Sequence, residues 1–342
     1  MPNNIINFPK HLIRENEEKE RKAYRYLIFF AMLCMTTMLC KSIFSYRLVE
    51  LHGHILQAGQ LIAPLWFILF YALAARDSAI WDTITKSNHV SLHAFLGGRL
   101  SCIPAYGTTG WLSLNIPELI QECEFYRNKG INAFKLRLGH PDDIARVSAI
   151  RTAMGDDFQI MVDANQRYAP EEASEISTAL SPFRITWLEE PTDNKLENIA
   201  AIKKSSCIPI ALGETIIEKS NFEAICRNKL TDILQLDLPR CGGITGFCEI
   251  AKIAMHHNIP LCSHLMYEVS IGLLAAFPNA HMLEYDNLLP TGIFAEAFPV
   301  SQGCVSPAKV PGNGATLTEA ALRQFQTDSY HFEPKRKLFS ML

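Results

Sequence analysis

The amino-acid sequence predicts an α/β fold in which parallel strands alternate with helices and close into a barrel. Three observations carry this prediction. From about residue 100 onward, eight short β-rich runs recur, each followed by a stretch of helical length. Several runs are continuously apolar, which is typical of strands buried on both faces of a parallel sheet. Titratable residues recur near the ends of the runs at intervals of 20 to 28 residues, close to the length of one βα unit.

The predicted elements follow one another in a regular order. Helical patterns occupy the gaps between the strands, among them 116–129, 142–154, 170–180 and 245–257. The eight predicted strands are 102–106, 133–138, 158–162, 185–188, 208–212, 233–236, 259–262 and 281–283. Strands that alternate with helices predict βα units, and eight such units predict a closed barrel.

The overall composition indicates a folded protein and disfavours nucleic-acid binding. Of the 342 residues, 48% are hydrophobic and 20% are charged, which excludes a disordered or fibrous chain. The formal net charge is −3, so no basic excess is present to neutralise phosphates, and we expect no nucleic-acid partner. The ten cysteines form no CxxC pair and lie mostly in apolar runs. They indicate reduced core residues rather than a disulfide or zinc framework.

Residues 1–76 differ from the rest of the chain. After a charge-dense start, residues 26–40 contain no charged residue, and neither do residues 56–75. A helix needs about 20 apolar residues to cross a bilayer core, so these runs predict a membrane hairpin, with lipid contact through residues 26–75. Two buried helices are the alternative. Six Lys or Arg residues precede the first run, and the positive-inside rule then leaves the barrel in the cytoplasm, tethered to the membrane. If the helices are buried instead, the protein is cytoplasmic.

Three acidic residues close consecutive predicted strands. Asp163 follows FQIMV, Glu189 follows ITWL and Glu214 follows IPIALG. Because the carboxyl ends of barrel strands meet at one mouth, we expect the three carboxylates to converge there. Grouped carboxylates repel one another unless a cation is present, and hard oxygen ligands suit Mg²⁺. The sequence therefore predicts a magnesium site.

The remaining strand ends carry groups suited to proton transfer. Asp237 and His264 lie on adjacent strands, where a carboxylate can orient an imidazole and raise its basicity. Glu284, if protonated, can donate a hydrogen bond to a developing oxyanion. Lys135 and Arg137 share a strand and a facing parity, so they can hold a carboxylate substrate. Together with the metal, these groups indicate removal of a proton alpha to a carboxylate.

These residues lie in motifs that resemble the enolase superfamily, in its mandelate racemase subgroup. The motifs run in order from about residue 77 to 318: SAIWD, AFKLRLG, VDANQ, WLEEP, GET, LQLDLPRCGGIT, PLCSH, HMLEY and VPGNG. The resemblance implies a (β/α)7β TIM-like barrel and a small carboxylate substrate such as a sugar acid. It assigns Mg²⁺ to Asp163, Glu189 and Glu214, acid/base roles to His264 and Asp237, an electrophilic role to Glu284, and substrate contact to Asn165.

Two departures from the family pattern bear on function. The strand of Lys135 carries Arg137 where the family has a second lysine, and arginine is a poor proton acceptor. We therefore predict dehydration of a sugar acid to a 2-keto-3-deoxy acid. A racemase or epimerase is the first alternative, and a glycosidase using Glu189 and Glu190 is a weak one, because adjacent strand residues point to opposite faces.

The second departure is a truncated N-terminal cap, because the family's capping domain is reduced here to the segment 77–100. The predicted organisation is an N-terminal apolar helical hairpin within 1–76, this remnant, a barrel over 101–318, and a C-terminal helix and tail over 319–342. The segment before residue 76 also resembles a fragment of a multi-span transporter of the queuosine-precursor type. A catalytically silent chimera without its lid is therefore the second alternative. An uncapped barrel edge favours association into a homo-oligomer.

Overall fold

The computed structural model describes residues 58–289 and 292–325. The described residues from Phe70 onward form one compact unit. The first predicted membrane run, 26–40, lies outside the described residues, and most of the second lies in helix α1, Ala58–Ser87. In the part of the chain that the structure describes, no helix is long and apolar enough to cross a membrane.

All eight predicted strands are present, and each is followed by a helix or a loop at the expected place. The strands are β1 Ile103–Gly110, β2 Ala133–Arg137, β3 Gln159–Asp163, β4 Ile185–Glu189, β5 Ile210–Leu212, β6 Ile233–Asp237, β7 Leu261–His264 and β8 Leu283–Tyr285. Two short strands follow, β9 Val300–Ser301 and β10 Cys304–Val305. The helices after α1 are α2 Leu92–Phe95, α3 Ile116–Asn128, α4 Asp143–Met154, α5 Pro170–Leu180, α6 Leu196–Ser205, α7 Lys219–Arg227, α8 Ile244–His256, α9 Tyr267–Leu274 and α10 Glu319–Phe325.

The sheet curls into an open barrel, not the fully closed one predicted from the sequence, and strands β1 to β7 are parallel neighbours in chain order. From β7 the order runs β6, β5, β4, β3, β2 and β1, and β8 pairs with the free side of β1. The predicted closure is weakest between β7 and β8, where the ladder is reduced to a bridge between Leu261 and Ala280. Two backbone hydrogen bonds support that bridge, from Leu261 N to Asn279 O and from His281 N to Leu261 O.

The strands are buried because both of their faces are covered. All five residues of β6 are buried, as expected for a parallel strand between an interior and a helical layer. Inside the barrel, the Tyr106 and Trp187 rings meet edge to face at 5.3 Å. The helices are delimited by local signals: α3 begins with a reciprocal capping box between Asn115 and Glu118, and α4 ends at Gly155 with φ of 79°.

The second half of α1 contacts the first turn of α8 through polar side chains. Asp77 accepts hydrogen bonds from the backbone N–H of Thr245 at 2.9 Å and from its hydroxyl at 2.6 Å. The Trp81 indole N–H donates to the same hydroxyl at 2.8 Å. Asp77 therefore satisfies a free N–H in the first turn of α8. The loop after β10 joins the same helix, since Asn313 N donates to Asp82 at 2.9 Å.

Candidate active site

The three predicted metal ligands converge in the structure. Asp163 and Glu189 are the last residues of β3 and β4 and lie in register, and Glu214 follows β5 by two residues. Each side chain is buried, and one oxygen from each lies within 4.8 Å of the others. In-register parallel strands bring their last residues to one edge, which explains the convergence.

Hydrogen bonds and burial leave carboxylate oxygens of this cluster available to a cation. Glu189 is held from behind, since its Oε2 accepts hydrogen bonds from Trp187 Nε1 at 3.2 Å and Gln235 Nε2 at 2.7 Å. Glu214 Oε2 is buried and, among the described residues, accepts no hydrogen bond of good geometry, although His264 Nε2 lies 3.2 Å away. A buried carboxylate oxygen that accepts no hydrogen bond is costly unless a cation meets it. Three oxygen donors of this kind match the ligand preference of Mg²⁺.

Lys135 lies buried among the same carboxylates. Its ammonium nitrogen is 2.6 Å from Glu189 Oε1, 2.7 Å from Glu284 Oε1 and 3.6 Å from Asp163 Oδ2. Burial alone lowers the pKa of Lys135, but the charges of Glu189 and Glu284 outweigh it and hold the pKa well above its usual value. Lys135 is therefore a fixed cation in this arrangement.

Arg137 lies at the end of the same strand and also forms an ion pair with a carboxylate. Its Nη1 forms an ion pair with Asp163 and donates to Asn165 Oδ1 at 3.3 Å. The guanidinium carbon lies 5.5 Å from the centroid of the Trp111 ring, within the range of a cation–π contact. Arg137 thus stands beside the predicted metal ligands as a permanent charge.

The predicted dyad forms between neighbouring strands. Asp237 and His264 pair in register at the ends of β6 and β7, and His264 Nδ1 lies 2.8 Å from Asp237 Oδ2. The other ring nitrogen, Nε2, is 3.2 Å from Glu214 Oε2. Burial by itself lowers the pKa of His264, but the hydrogen bond to Asp237 and the charges of Glu284 and Glu214 raise it to about 9. Because Nδ1 faces Asp237 and Nε2 faces Glu214, the imidazole meets the carboxylate cluster through Nε2.

Glu284 accepts hydrogen bonds through both of its carboxylate oxygens. Thr108 Oγ1 donates to its Oε1 at 2.5 Å, and Leu265 N donates to its Oε2 at 2.7 Å. Burial raises the pKa of Glu284, but Lys135 and His264 outweigh that effect and lower the pKa to about 2. The predicted donation of a hydrogen bond to an oxyanion therefore requires that Glu284 first take up a proton.

A cavity of about 460 Å³ opens above these groups. Of the residues predicted from the sequence, four line it: Arg137, Asn165, Glu214 and His264. Asn165 joins two parts of the site, because its backbone N–H donates to Asp163 at 2.8 Å and its amide donates to Glu214 at 3.3 Å. The cavity has a volume typical of small-molecule sites.

Four further lining residues were not predicted: Gln166, Glu190, Thr215 and Arg240. Glu190 reaches the cavity because β4 ends at Glu189 and the next residue turns with φ of 38°, which breaks the strand alternation used in the sequence argument. Glu190 accepts hydrogen bonds from the backbone N–H of Thr215 at 3.2 Å and from its hydroxyl. The signal that could have indicated Arg240 is its place three residues after Asp237, in the loop beyond a strand end.

Comparison with known proteins identifies the family. Residues 118–321 match the family model described as enolase C-terminal domain-like. The chain is 33% identical over 260 residues to L-talarate/galactarate dehydratase of Salmonella typhimurium. The chain therefore belongs to the enolase superfamily, with a C-terminal domain of the mandelate racemase and muconate lactonizing enzyme type. This confirms the resemblance to the superfamily that the motifs indicated.

The chain is also similar to a cycloisomerase in sequence and to a racemase in structure. The chain is 29% identical over 318 residues to 3,6-anhydro-alpha-L-galactonate cycloisomerase of Streptomyces coelicolor, covering 89% of this chain and 87% of that one. A solved racemase from Streptomyces coelicolor with bound magnesium superimposes with a TM-score of 0.71 at 31% identity, covering 75% of this chain and 71% of the other. The match to the talarate/galactarate dehydratase covers 75% of this chain and 65% of that enzyme, slightly under two thirds of its length.

Proposed function

We propose that this protein dehydrates a sugar acid to a 2-keto-3-deoxy acid in a magnesium-dependent reaction. The observation that carries the proposal is the contact of one imidazole with a cluster of three buried carboxylates, of which Glu214 lines the cavity together with the imidazole. His264 Nε2 lies 3.2 Å from Glu214, and Glu214 belongs to the cluster with Asp163 and Glu189. The similarity to a talarate/galactarate dehydratase and to a magnesium-bound racemase supports both the reaction class and the metal.

His264 can act at both proton-transfer steps. With its Nδ1 proton donated to Asp237, the neutral ring presents the lone pair of Nε2 to the cavity and can take the proton alpha to the substrate carboxylate. The resulting imidazolium then returns this proton to the departing β-hydroxyl, which leaves as water, and the enol product becomes the 2-keto-3-deoxy acid. When bound to the three carboxylates, Mg²⁺ supplies positive charge, which stabilises the carbanion form of the substrate and offsets the negative charge that raises the pKa of His264.

The other basic groups are poorly suited to remove a second proton. Arg137 is permanently charged, and its guanidinium is paired with Asp163. Lys135 is held as a cation between Glu189 and Glu284. A racemase needs a base on each face of the carbanion, whereas a dehydratase that uses one base for both steps needs only His264. The charge arrangement therefore favours dehydration over racemisation.

Solvent-exchange NMR tests this proposal. The full-length protein would be incubated in D₂O with Mg²⁺ and a panel of sugar acids, while α-proton exchange and keto-acid formation are followed. We expect keto-acid formation that disappears with EDTA and in His264→Asn. Exchange with inversion at the α-carbon and no loss of water would indicate the racemase instead. Neither exchange nor product, in protein that binds Mg²⁺, would indicate a catalytically silent barrel.

Two other properties stay predictions from the sequence. Membrane attachment through residues 26–75 is supported by the uncharged run 26–40, which lies outside the described residues, and it predicts that the full-length protein sediments with membranes until detergent is added. Association into a homo-oligomer is supported by the shortened cap, and it predicts a mass above that of one chain in light scattering of the solubilised protein.

A further inference from the structure

Two arginines line the cavity, and they differ in whether the guanidinium forms an ion pair with a carboxylate. Arg137 is ion-paired with Asp163. Arg240 also lines the cavity, but within the described ranges it forms no ion pair with any carboxylate. Burial lowers the pKa of Arg240, but the hydrogen bond to Tyr71 and the charges of Asp237 and Glu214 outweigh it and raise the pKa. Neither carboxylate forms an ion pair with the guanidinium, so this half-buried group facing the cavity can still recognise an anionic ligand.

The guanidinium of Arg240 is fixed in position by neutral partners. Nη1 donates to the backbone oxygen of Glu214 at 2.8 Å, and Nε donates to the hydroxyl of Tyr71 at 3.2 Å. The backbone N–H of Arg240 donates to Asp237 Oδ1 at 2.7 Å. In the described part of the chain no hydrogen bond leaves Nη2. The side chain is therefore oriented in advance and keeps N–H donors for a ligand.

The location of Arg240 distinguishes it from the cations at the strand ends. Lys135 and Arg137 belong to β2, whereas Arg240 follows β6. In the strand order β2 and β6 are separated by β3, β4 and β5, so they lie on opposite sides of an eight-stranded barrel. Arg240 also lies three residues beyond Asp237, the last residue of β6, and hence nearer the rim than the carboxylates at the strand ends. The carboxylate next to the reacting carbon of a substrate would bind the Mg²⁺ held by Asp163, Glu189 and Glu214. The other end of that substrate can then extend toward Arg240.

We propose that Arg240 binds a second carboxylate at the far end of the substrate, so that the preferred substrate class is a sugar diacid rather than a sugar acid that ends in a hydroxymethyl group. The inference rests on the proposed function, because it assumes that a sugar acid occupies this cavity. A single substrate carboxylate would be met by a cation held at Asp163, Glu189 and Glu214, which leaves Arg240 for a second one. The cavity of about 460 Å³ leaves room for a six-carbon diacid.

Calorimetric binding to matched acids tests the inference without turnover. The ligands are galactarate with galactonate, and glucarate with gluconate, since the members of each pair differ in the group at one end. The protein carries His264→Asn, so that no ligand is consumed, and Mg²⁺ is present throughout. In this background we expect the better-bound diacid to bind at least about tenfold more tightly than its matched monoacid, because a charge-assisted hydrogen-bond pair is gained.

Substitutions at Arg240 separate ligand binding from a structural role. Arg240→Gln is expected to weaken the diacid about tenfold or more while leaving the monoacid within about twofold, and Arg240→Lys to recover part of the loss. Tyr71→Phe removes the hydrogen bond to Nε and should weaken the diacid to a smaller extent. Arg227→Gln, an exposed arginine at the end of α7, is the matched control and should change neither affinity.

The possible outcomes distinguish a failure of this inference from a failure of the proposed function. Equal affinity for the diacid and its monoacid would overturn the inference and leave the proposed function standing. Equal weakening of both acids by Arg240→Gln would also overturn it, because that pattern is the one expected of a residue that only supports the loop. Binding of neither acid would overturn the inference together with the proposed function, and the NMR exchange experiment would then show no product.

Discussion

Replacing Glu214 by Gln tests the metal site most directly. The substitution removes one of three buried carboxylates while keeping the shape of the side chain. Without metal, two effects oppose each other: repulsion from Asp163 and Glu189 within 4.8 Å is lost, and so is the contact with His264 at 3.2 Å. At an effective dielectric constant of about 20 each of these interactions is worth roughly 3–5 kcal/mol. Because the signs oppose, we expect the metal-free melting temperature to stay within a few degrees of the wild type.

With metal we expect the melting temperatures of the wild type and Glu214→Gln to differ. At a Mg²⁺ concentration of about 100 times the wild-type Kd, binding stabilises the folded wild type by about 2.7 kcal/mol. For a domain of this size that corresponds to a rise in melting temperature of roughly 5–10 °C. Losing a hydrogen-bond partner behind a metal ligand already costs about 10–100-fold in affinity, so losing the ligand itself should cost at least as much. At a 100-fold loss the remaining stabilisation is about 0.4 kcal/mol, or about 1 °C.

The assay is thermal unfolding followed by circular dichroism, with a Mg²⁺ titration and an EDTA baseline. Glu197→Gln is the control, because it removes the same charge from an exposed position in α6. That variant should keep the full Mg²⁺ shift. A Glu214→Gln protein that melts with the wild-type shift would remove Glu214 from the metal site and refute the assignment of Mg²⁺ to the three carboxylates.

Three further predictions concern the neighbouring groups. His264→Asn should abolish turnover in the NMR assay and leave the Mg²⁺ melting shift intact; retained turnover would identify Lys135 as the base. Lys135→Met should destabilise the metal-free protein by about 3–5 kcal/mol in urea unfolding, because it leaves its carboxylate partners buried and uncompensated; an unchanged midpoint would show that these charges are not paired by Lys135. Asp77→Ala should cost about 1–2 kcal/mol through the lost cap on α8 and lower the melting temperature by roughly 2–8 °C, whereas Asp77→Asn should retain most of that stability.

The sequence was most informative where one geometric rule governs many residues. Parallel strands in register deliver their last residues to one edge, so the spacing of about one βα unit was enough to bring Asp163, Glu189 and Glu214 together. The same rule paired Asp237 with His264 across β6 and β7. These contacts join residues on neighbouring strands, and neighbouring strands are consecutive in this chain.

Contacts that no periodicity specifies could not be predicted. Glu190 enters the cavity because of a left-handed turn directly after β4, and strand alternation predicted the opposite face. Tyr71 and Arg240 are separated by 169 positions, and their hydrogen bond depends on how α1 lies against the loop after β6. The protonation state of Glu284 depends on Lys135 and His264 together, so its charge follows from packing rather than from its place at a strand end.

Helix α1 contacts residues at the cavity rim, although the truncated cap had suggested that no element outside the barrel shapes it. Without the strands of a capping domain, the sequence offered no element to shape the cavity rim. In the structure Tyr71 reaches Arg240, which lines the cavity, and Asp77 holds the start of α8 just beyond it. Both residues belong to α1: Tyr71 contacts Arg240 in the loop between β6 and α8, and Asp77 contacts the first turn of α8. That loop carries Arg240, which forms no ion pair with a carboxylate in the described part of the chain. Our proposal therefore assigns part of the recognition that a cap would provide to the barrel rim, where α1 supports it.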